Sequence, residues 1–384
     1  MMQRLYTPGP VRVPDAILAA GAEPPMHHRS EDFIACSQRV WKYLKSVYNT
    51  SQPVAVLAGS GMTGIEAAIS STMRAGEHGI VLVHGRFGAR IADIMRTHGI
   101  VPHTLEVPWG ETITADAVAK ALDDTPHATA IWMVHGETST GVALDVQTIA
   151  SVVRAQSPNI LIGVDAIASL GIHELECDAW DLDLVVSGIQ KGLMCPPGLA
   201  CVSVSQRAQE HIRNTPASVY TQSLATVLKD LKNGLFTWTP PVTLVRSLEV
   251  ALEFILNEGL PAVWKRHADV SHTLQEGIRD RGLSVFGDGT SHAVTPVILS
   301  PSGSQAVPQH SGLQGISSQA DKFRSLLFER HAIVVADGQD HLGGTMVRIG
   351  TCGSITKRDI LELFNAIDDV LPFVHSENTR HFAN

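Results

Sequence analysis

Cysteine is scarce in this chain and poorly spaced for disulfide or metal chemistry. Cys36, Cys177, Cys195, Cys201 and Cys352 form no CxxC pair and stand in mostly apolar or helical surroundings. They read as reduced thiols of a cytoplasmic protein, and no metal is expected. Positive charge is also in deficit, with 29 Lys and Arg against 38 Asp and Glu, a net charge of -9. With no basic run to offset it, that balance excludes nonspecific nucleic-acid binding. No apolar run approaches the length of a membrane span, and Met1 to Pro10 carry no apolar signal-like stretch, so neither membrane insertion nor secretion is expected. Internal repeats and low-complexity tracts are missing as well. What is present is the composition of an ordinary globular protein, 44% hydrophobic and 17% charged, with 32 glycines and 20 prolines marking many turns. At 384 residues the chain exceeds one simple core, so a large domain plus a smaller one is expected.

Pro8, Pro10 and Pro14 make residues 1–13 an extended arm, of a kind that often packs on a partner subunit. Ser30-Glu31-Asp32 then opens a helix, with a capping serine and acids in the first turn. Beyond it, short apolar runs alternate with helical segments: strands at 54–58, 80–84, 103–107, 128–134, 160–164, 183–187 and 200–204, helices at 63–74, 86–98, 115–123 and 146–156. That alternation predicts an α/β fold, a large doubly wound, mainly parallel sheet. After residue 205 helices dominate, and strands near 283–286, 294–299, 332–336 and 345–349 with helices at 318–329 and 356–371 predict a small C-terminal α+β domain. The boundaries read from this pattern are an arm at 1–13, a large domain at 14–258 and a small domain at 259–384. Ser300 to Ser318, rich in Ser, Gly and Gln, is the expected mobile loop.

The chain has nine lysines, and eight of them fall on segments read as amphipathic helices. Lys191 is the exception: it follows the run Val185 to Ile189, and Pro196-Pro197-Gly198 forbid a regular helix behind it. Such a lysine is either a surface loop tip or a partly desolvated amine able to attack carbonyls. Gly59-Ser60-Gly61-Met62-Thr63 follows the first strand, with Thr63 and Glu66 spaced as a capping box. It is either a plain strand-to-helix turn or a helix start whose free N–H groups hold a phosphate; it matches neither the P-loop nor the dinucleotide fingerprint. Asp165 ends an apolar strand, where a carboxylate is either functional or a helix cap. Asp183 begins a strand and is expected to cap it or face water. His135 to Gly141 follows another strand and offers small polar groups to the same crevice, His135 itself being read as a structural hydrogen-bonder. Phe87 could lie flat on a planar ligand or pack in the core. Arg348, between apolar residues of a strand, wants either a ligand carboxylate or phosphate or a structural ion pair.

Taken together, the motifs from Thr7-Pro8-Gly9-Pro10 through Gly59-Ser60-Gly61, His135 to Gly141, Val164-Asp165, Gln190-Lys191 with Pro196-Pro197-Gly198, to Arg348-Ile349-Gly350 resemble the class V aminotransferases of pyridoxal-phosphate fold type I. The alanine or serine:glyoxylate and pyruvate aminotransferases resemble the chain most. The resemblance implies pyridoxal 5′-phosphate as cofactor, transamination between a small amino acid and glyoxylate or pyruvate, and a homodimer with shared sites. It implies Lys191 as Schiff-base lysine and proton carrier, Asp165 on the ring nitrogen, and Ser60, Gly61, Met62 and Gln190 around the phosphate. Phe87 would stack on the ring, Thr138 would lie near its 3′-oxygen, Thr239 would reach the phosphate of the neighbouring subunit, and Arg348 would grip the substrate carboxylate. Phe87 stands where relatives often have tryptophan, and Phe236 and Trp238 where they often have tyrosine or histidine. Aspartate or 2-aminoethylphosphonate as substrate, a lyase or desulfurase using Cys195 or Cys352, and a non-catalytic binding protein are the alternatives.

Overall fold

The apolar runs of the first half assemble into one seven-stranded sheet in the computed structural model, which describes residues 3–216, 218–299 and 319–374. The strands are β1 (Arg4–Tyr6), β2 (Val54–Ala58), β3 (His78–Val83), β4 (Val101–Glu106), β5 (Ala128–Val134), β6 (Gly136–Glu137), β7 (Val142–Ala143), β8 (Leu161–Asp165), β9 (Leu184–Gly188), β10 (Leu199–Val204), β11 (Ser284–Val285), β12 (Val294–Ile298), β13 (Ile333–Asp337) and β14 (Met346–Gly350). The helices are α1 (Asp15–Ala22), α2 (Glu31–Val47), α3 (Gly61–Thr72), α4 (Arg86–Thr97), α5 (Ala115–Asp124), α6 (Val146–Gln156), α7 (Gln206–Asn214), α8 (Leu224–Leu231), α9 (Val242–Glu258), α10 (Leu260–Asp280), α11 (Gln319–His331) and α12 (Lys357–Val374). The large sheet runs β2-β10-β9-β8-β5-β3-β4, with β10 antiparallel to both neighbours and the other pairings parallel.

Helices cover both faces, which is why β8, β9 and β10 are buried at every position and read as unbroken apolar runs rather than as alternation. One core joins α2, α6 and α9 to the sheet, and the other joins α3, α4, α7 and α8 to its opposite face. Packing is close enough to require glycine at Gly163, where an added Cβ would sit 2.3 Å from the buried Trp132 indole on the neighbouring strand. Strand β4 is the exception, an edge strand with no fully buried position and Pro102 within it. Because β2, β3, β5, β8 and β9 share a direction, their C-terminal ends meet along one edge. Ser60, Gly85, His135, Asp165 and Gln190 all lie at or just beyond those ends.

The small sheet runs β1-β13-β14-β12-β11 and packs on α10, α11 and α12. Its edge strand comes from the N-terminal arm: β1 pairs in parallel with β13, Leu5 opposite Val334. The arm therefore packs on its own chain, and Tyr6 anchors it by donating from its hydroxyl to the Asp359 carbonyl at 2.9 Å. The stretch 300–318, read as a mobile loop, lies outside the described residues.

Two local readings change. Helix α3 starts at Gly61 with Ser60 as its N-cap, so Thr63 is inside the first turn and no Thr63–Glu66 capping box forms; Glu66 meets His98 Nε2 at 3.1 Å instead. Asp183 neither caps nor faces water. It is buried, accepting from Ile162 N at 2.8 Å, Ser205 Oγ at 2.6 Å and Arg207 Nη1 at 2.7 Å, with Arg154 Nη2 as a fourth donor. A carboxylate with two guanidiniums and a backbone N–H satisfies its lone pairs without water, which a reading of chain position alone does not anticipate.

Candidate active site

Lys191 stands on the turn after β9. Its Nζ is buried and donates to the Pro8 carbonyl at 2.5 Å, so the arm lies directly on the amine. Gly9, at φ +139°, permits this approach, since a Cβ there would overlap Cδ, Cε and Nζ of Lys191 at 2.4 to 2.5 Å. Burial lowers the Lys191 pKa from its ordinary value; the Cys352 and Asp165 sides oppose this and Arg348 adds to it. A surface loop tip is thereby excluded, and the amine is biased toward its neutral, nucleophilic form.

Eight of the predicted residues line one cavity of about 200 Å³: Ser60, Gly61, Met62, Phe87, Thr138, Asp165, Gln190 and Lys191. Asp165 is buried, and Ile167 N donates to its Oδ1 at 2.9 Å. Burial pushes its carboxyl up to about 7, against that hydrogen bond and the Lys191 charge. An ionised carboxylate here lacks full compensation and favours a cation beside it.

At the other side of the cavity, Ser60 makes no side-chain cap to α3, leaving the first-turn N–H groups uncapped by a side chain. Gln190 lines the same cavity, and its amide NH2 is a donor. An uncapped helix start beside an amide donor suits an anion. The donor set thus fits a phosphorylated pyridine aldehyde: an amine for the carbonyl, a carboxylate for the ring nitrogen and an anion cradle for the phosphate.

Arg348, on β14 of the small sheet, does not line this cavity but closes on its wall. Nη1 donates to the Thr138 carbonyl at 2.9 Å and Nε to the Asp337 carbonyl at 2.6 Å. Both acceptors are neutral, and burial lowers its pKa to about 10. Among the described residues no carboxylate lies within ion-pair distance of it, so the structural ion pair is not formed. Thr239 lies elsewhere, exposed at the rim of a second cavity of about 340 Å³ with Phe236 and Trp238.

Two neighbours of the cavity carried no sequence-derived role. Glu137 is buried and accepts from Phe87 N at 2.9 Å, Gly88 N at 3.4 Å, Ser139 N at 3.0 Å and Ser139 Oγ at 2.6 Å. Burial raises its pKa against these bonds. It caps α4 from a remote strand and so fixes Phe87 at the cavity mouth. The signal was Gly85, a helix-preceding residue with no side chain to cap the orphan N–H groups behind it. Arg90 also lines the cavity, its guanidinium carbon 5.0 Å from the Phe87 ring centroid.

The alternative nucleophiles do not fit a thiolate role. Cys352 is buried and its thiol is pushed up to about 11, and burial raises Cys195 further.

Residues 18–300 match the family model described as Aminotransferase class-V. A protein of Synechococcus sp. called soluble hydrogenase, small subunit, is 33% identical over 369 residues, covering 96% of this chain and 92% of its own. The L-aspartate–glyoxylate aminotransferase of Paracoccus denitrificans is 31% identical over 362 residues, covering 92% of this chain and 87% of its own. Among solved structures, the alanine–glyoxylate aminotransferase of Nostoc sp. superposes with a TM-score of 0.87 at 28% identity, covering 97% of this chain and 96% of the other.

Proposed function

Because the chain belongs to the class V aminotransferases, we propose that it moves an amino group from a small donor of the alanine or serine type to glyoxylate or pyruvate, using pyridoxal 5′-phosphate. The observation that carries the reading is the shared cavity, in which a buried amine, a buried carboxylate and an uncapped helix start face one another. The cofactor, typical of this class, supplies an aldehyde to take the amino group and a ring to spread the charge left at the donor's Cα.

The chain's own residues then have separable tasks. Lys191 Nζ would be the amine that holds the cofactor's aldehyde, and the same nitrogen would serve as the base that moves a proton at the donor's Cα. Asp165 would be the carboxylate facing the ring nitrogen, and ionised there it would favour a proton on that nitrogen. Ser60, Gly61, Met62 and Gln190 would take the phosphate, Phe87 would orient the ring, and Thr138 would serve its oxygen. Arg348, hydrogen-bonded to neutral carbonyls and without a close ion-pair partner among the described residues, keeps its charge available for the substrate carboxylate.

Val134, Gly136, Ile167 and Ala168 give the cavity an apolar wall, which favours a short donor side chain. A second reading, aspartate as donor, is favoured by Arg90: it lines the cavity, and among the described residues no carboxylate lies within ion-pair distance of it. Alanine, serine, aspartate and 2-aminoethylphosphonate should be assayed against glyoxylate, pyruvate and 2-oxoglutarate, following the visible band of the cofactor-loaded protein. Alanine or serine with glyoxylate or pyruvate should give the largest kcat/KM. A larger value with aspartate transfers the assignment to the Arg90 reading, and no band change with any donor refutes transamination.

We further propose a homodimer in which Thr239 reaches the neighbouring site. Thr239 is exposed and outside its own lysine cavity, and Tyr220 (80% exposed) and Trp238 (43%) stand beside it with ring centroids 5.5 Å apart. Apolar aromatics left open in this way are typical of a subunit contact. Light scattering should give twice the 41.2 kDa chain mass; a monomer that is fully active would remove the shared-site assignment.

A further inference from the structure

His78, His103 and His127 are far apart in sequence, yet β-sheet pairing gathers them. His78 opens β3, His103 lies within the edge strand β4, and His127 immediately precedes β5. Their ligand nitrogens all lie within 4.8 Å of one another, and Nδ1 of His78 is 2.7 Å from Nε2 of His103. The β3–β5 register slips between His78 and Gly79, an irregularity of the kind that re-aims a side chain. The rings of His78 and His127 stand nearly perpendicular, with centroids 4.2 Å apart, and those of His78 and His103 are stacked with centroids 5.1 Å apart.

We propose that these three histidines form a binding site for a late first-row divalent cation of the zinc, nickel or copper class. Imidazole nitrogen is the ligand type such ions favour, and three ligands in one cluster leave a fourth position for water or an exogenous group. Zinc–nitrogen bonds of about 2.1 Å place tetrahedral ligands roughly 3.4 Å apart. The trio already brackets that spacing: the contact of His78 with His103, a hydrogen bond in the absence of an ion, is shorter and the outer limit is longer. Among the described residues no carboxylate lies within ion-pair distance of any of the three, and no ion pair accounts for their meeting.

The site is distinct from the lysine cavity. It sits at the N-terminal ends of the parallel strands, whereas Lys191 and Asp165 lie at the opposite edge, a strand length of roughly 20 Å away. An ion there ties the exposed edge strand β4 to β3 and β5. Sequence spacing does not reveal such a cluster, because its three members come one each from neighbouring strands or their ends.

The test is zinc titration of the chelator-treated, cofactor-loaded full chain by calorimetry, comparing wild type with His103→Ala, His127→Gln and the double variant. His211→Ala on α7 serves as a control. Wild type and control should bind one zinc ion per chain and gain melting temperature with zinc. Each single variant should bind at least about tenfold more weakly, and the double variant should lose both binding and the thermal gain. His127 is exposed, so His127→Gln is expected to fold, and unchanged transaminase activity with amino donor verifies this without zinc. Absence of stoichiometric binding by wild type, or equal binding by the double variant, overturns the proposal.

Discussion

Replacing Lys191 by alanine is expected to lower transamination by at least about 10⁴-fold, because one side chain supplies both the covalent anchor and the proton carrier. The amine is buried, its pKa is lowered by that burial, and it touches only the Pro8 carbonyl at hydrogen-bond distance among the described residues. The other cations of the neighbourhood cannot substitute. Arg348 is committed to two backbone carbonyls, and Arg90 lies over Phe87, so neither reaches the same point in space with a basic, deprotonable nitrogen. The variant should still bind the cofactor weakly through the phosphate cradle. Small soluble amines should restore part of the proton-transfer rate, which separates loss of the amine from collapse of the cavity. Full activity in the variant would refute the assignment of Lys191.

Asp165→Asn should lower the rate by at least about 100-fold while making the cofactor-free chain more stable near pH 8. The two effects have one cause. Burial raises the Asp165 pKa from 3.8 to about 7, so the folded chain keeps a proton that the unfolded chain gives up from pH 4 upward. The unfolded state therefore binds fewer protons across that window, and the stability of the cofactor-free protein falls as pH rises from about 4 through about 7. Three units correspond to an upper bound of about 4 kcal/mol. Asparagine does not titrate and removes the slope. A cationic ring nitrogen beside Asp165 also removes it in the wild type, by favouring the carboxylate. Denaturant unfolding of both cofactor-free chains at pH 5 and pH 8, with the rate of each loaded form, measures this. A variant with wild-type activity, or the same pH slope in both chains, would sink the assignment.

Much of the fold was legible because parallel strands covered on both faces must be apolar throughout. Strands 54–58 and 128–134 and helix 146–156 fall at the predicted residues for that reason. Boundaries moved where capping decided them, as at α3, whose start depends on Ser60 rather than on the Thr63–Glu66 spacing. Lys191 and Asp165 were visible as charged residues ending apolar runs. Glu137 was not, because its value lies in donors contributed by a helix fifty residues earlier. Asp183 was misjudged for the same reason, since its guanidinium partners come from α6 and α7. The position of Arg348 was plain, but that two carbonyls rather than a carboxylate hold it required the packed β14 and the turn after β6.

The arm gives the chain a mechanical link between its two sheets. Residues 4–6 are hydrogen-bonded into the small sheet as its edge strand, while Pro8, two residues on, supplies the acceptor for the Lys191 amine in the large one. Within five residues the arm is thus hydrogen-bonded to both the C-terminal sheet and the turn that carries the reactive amine.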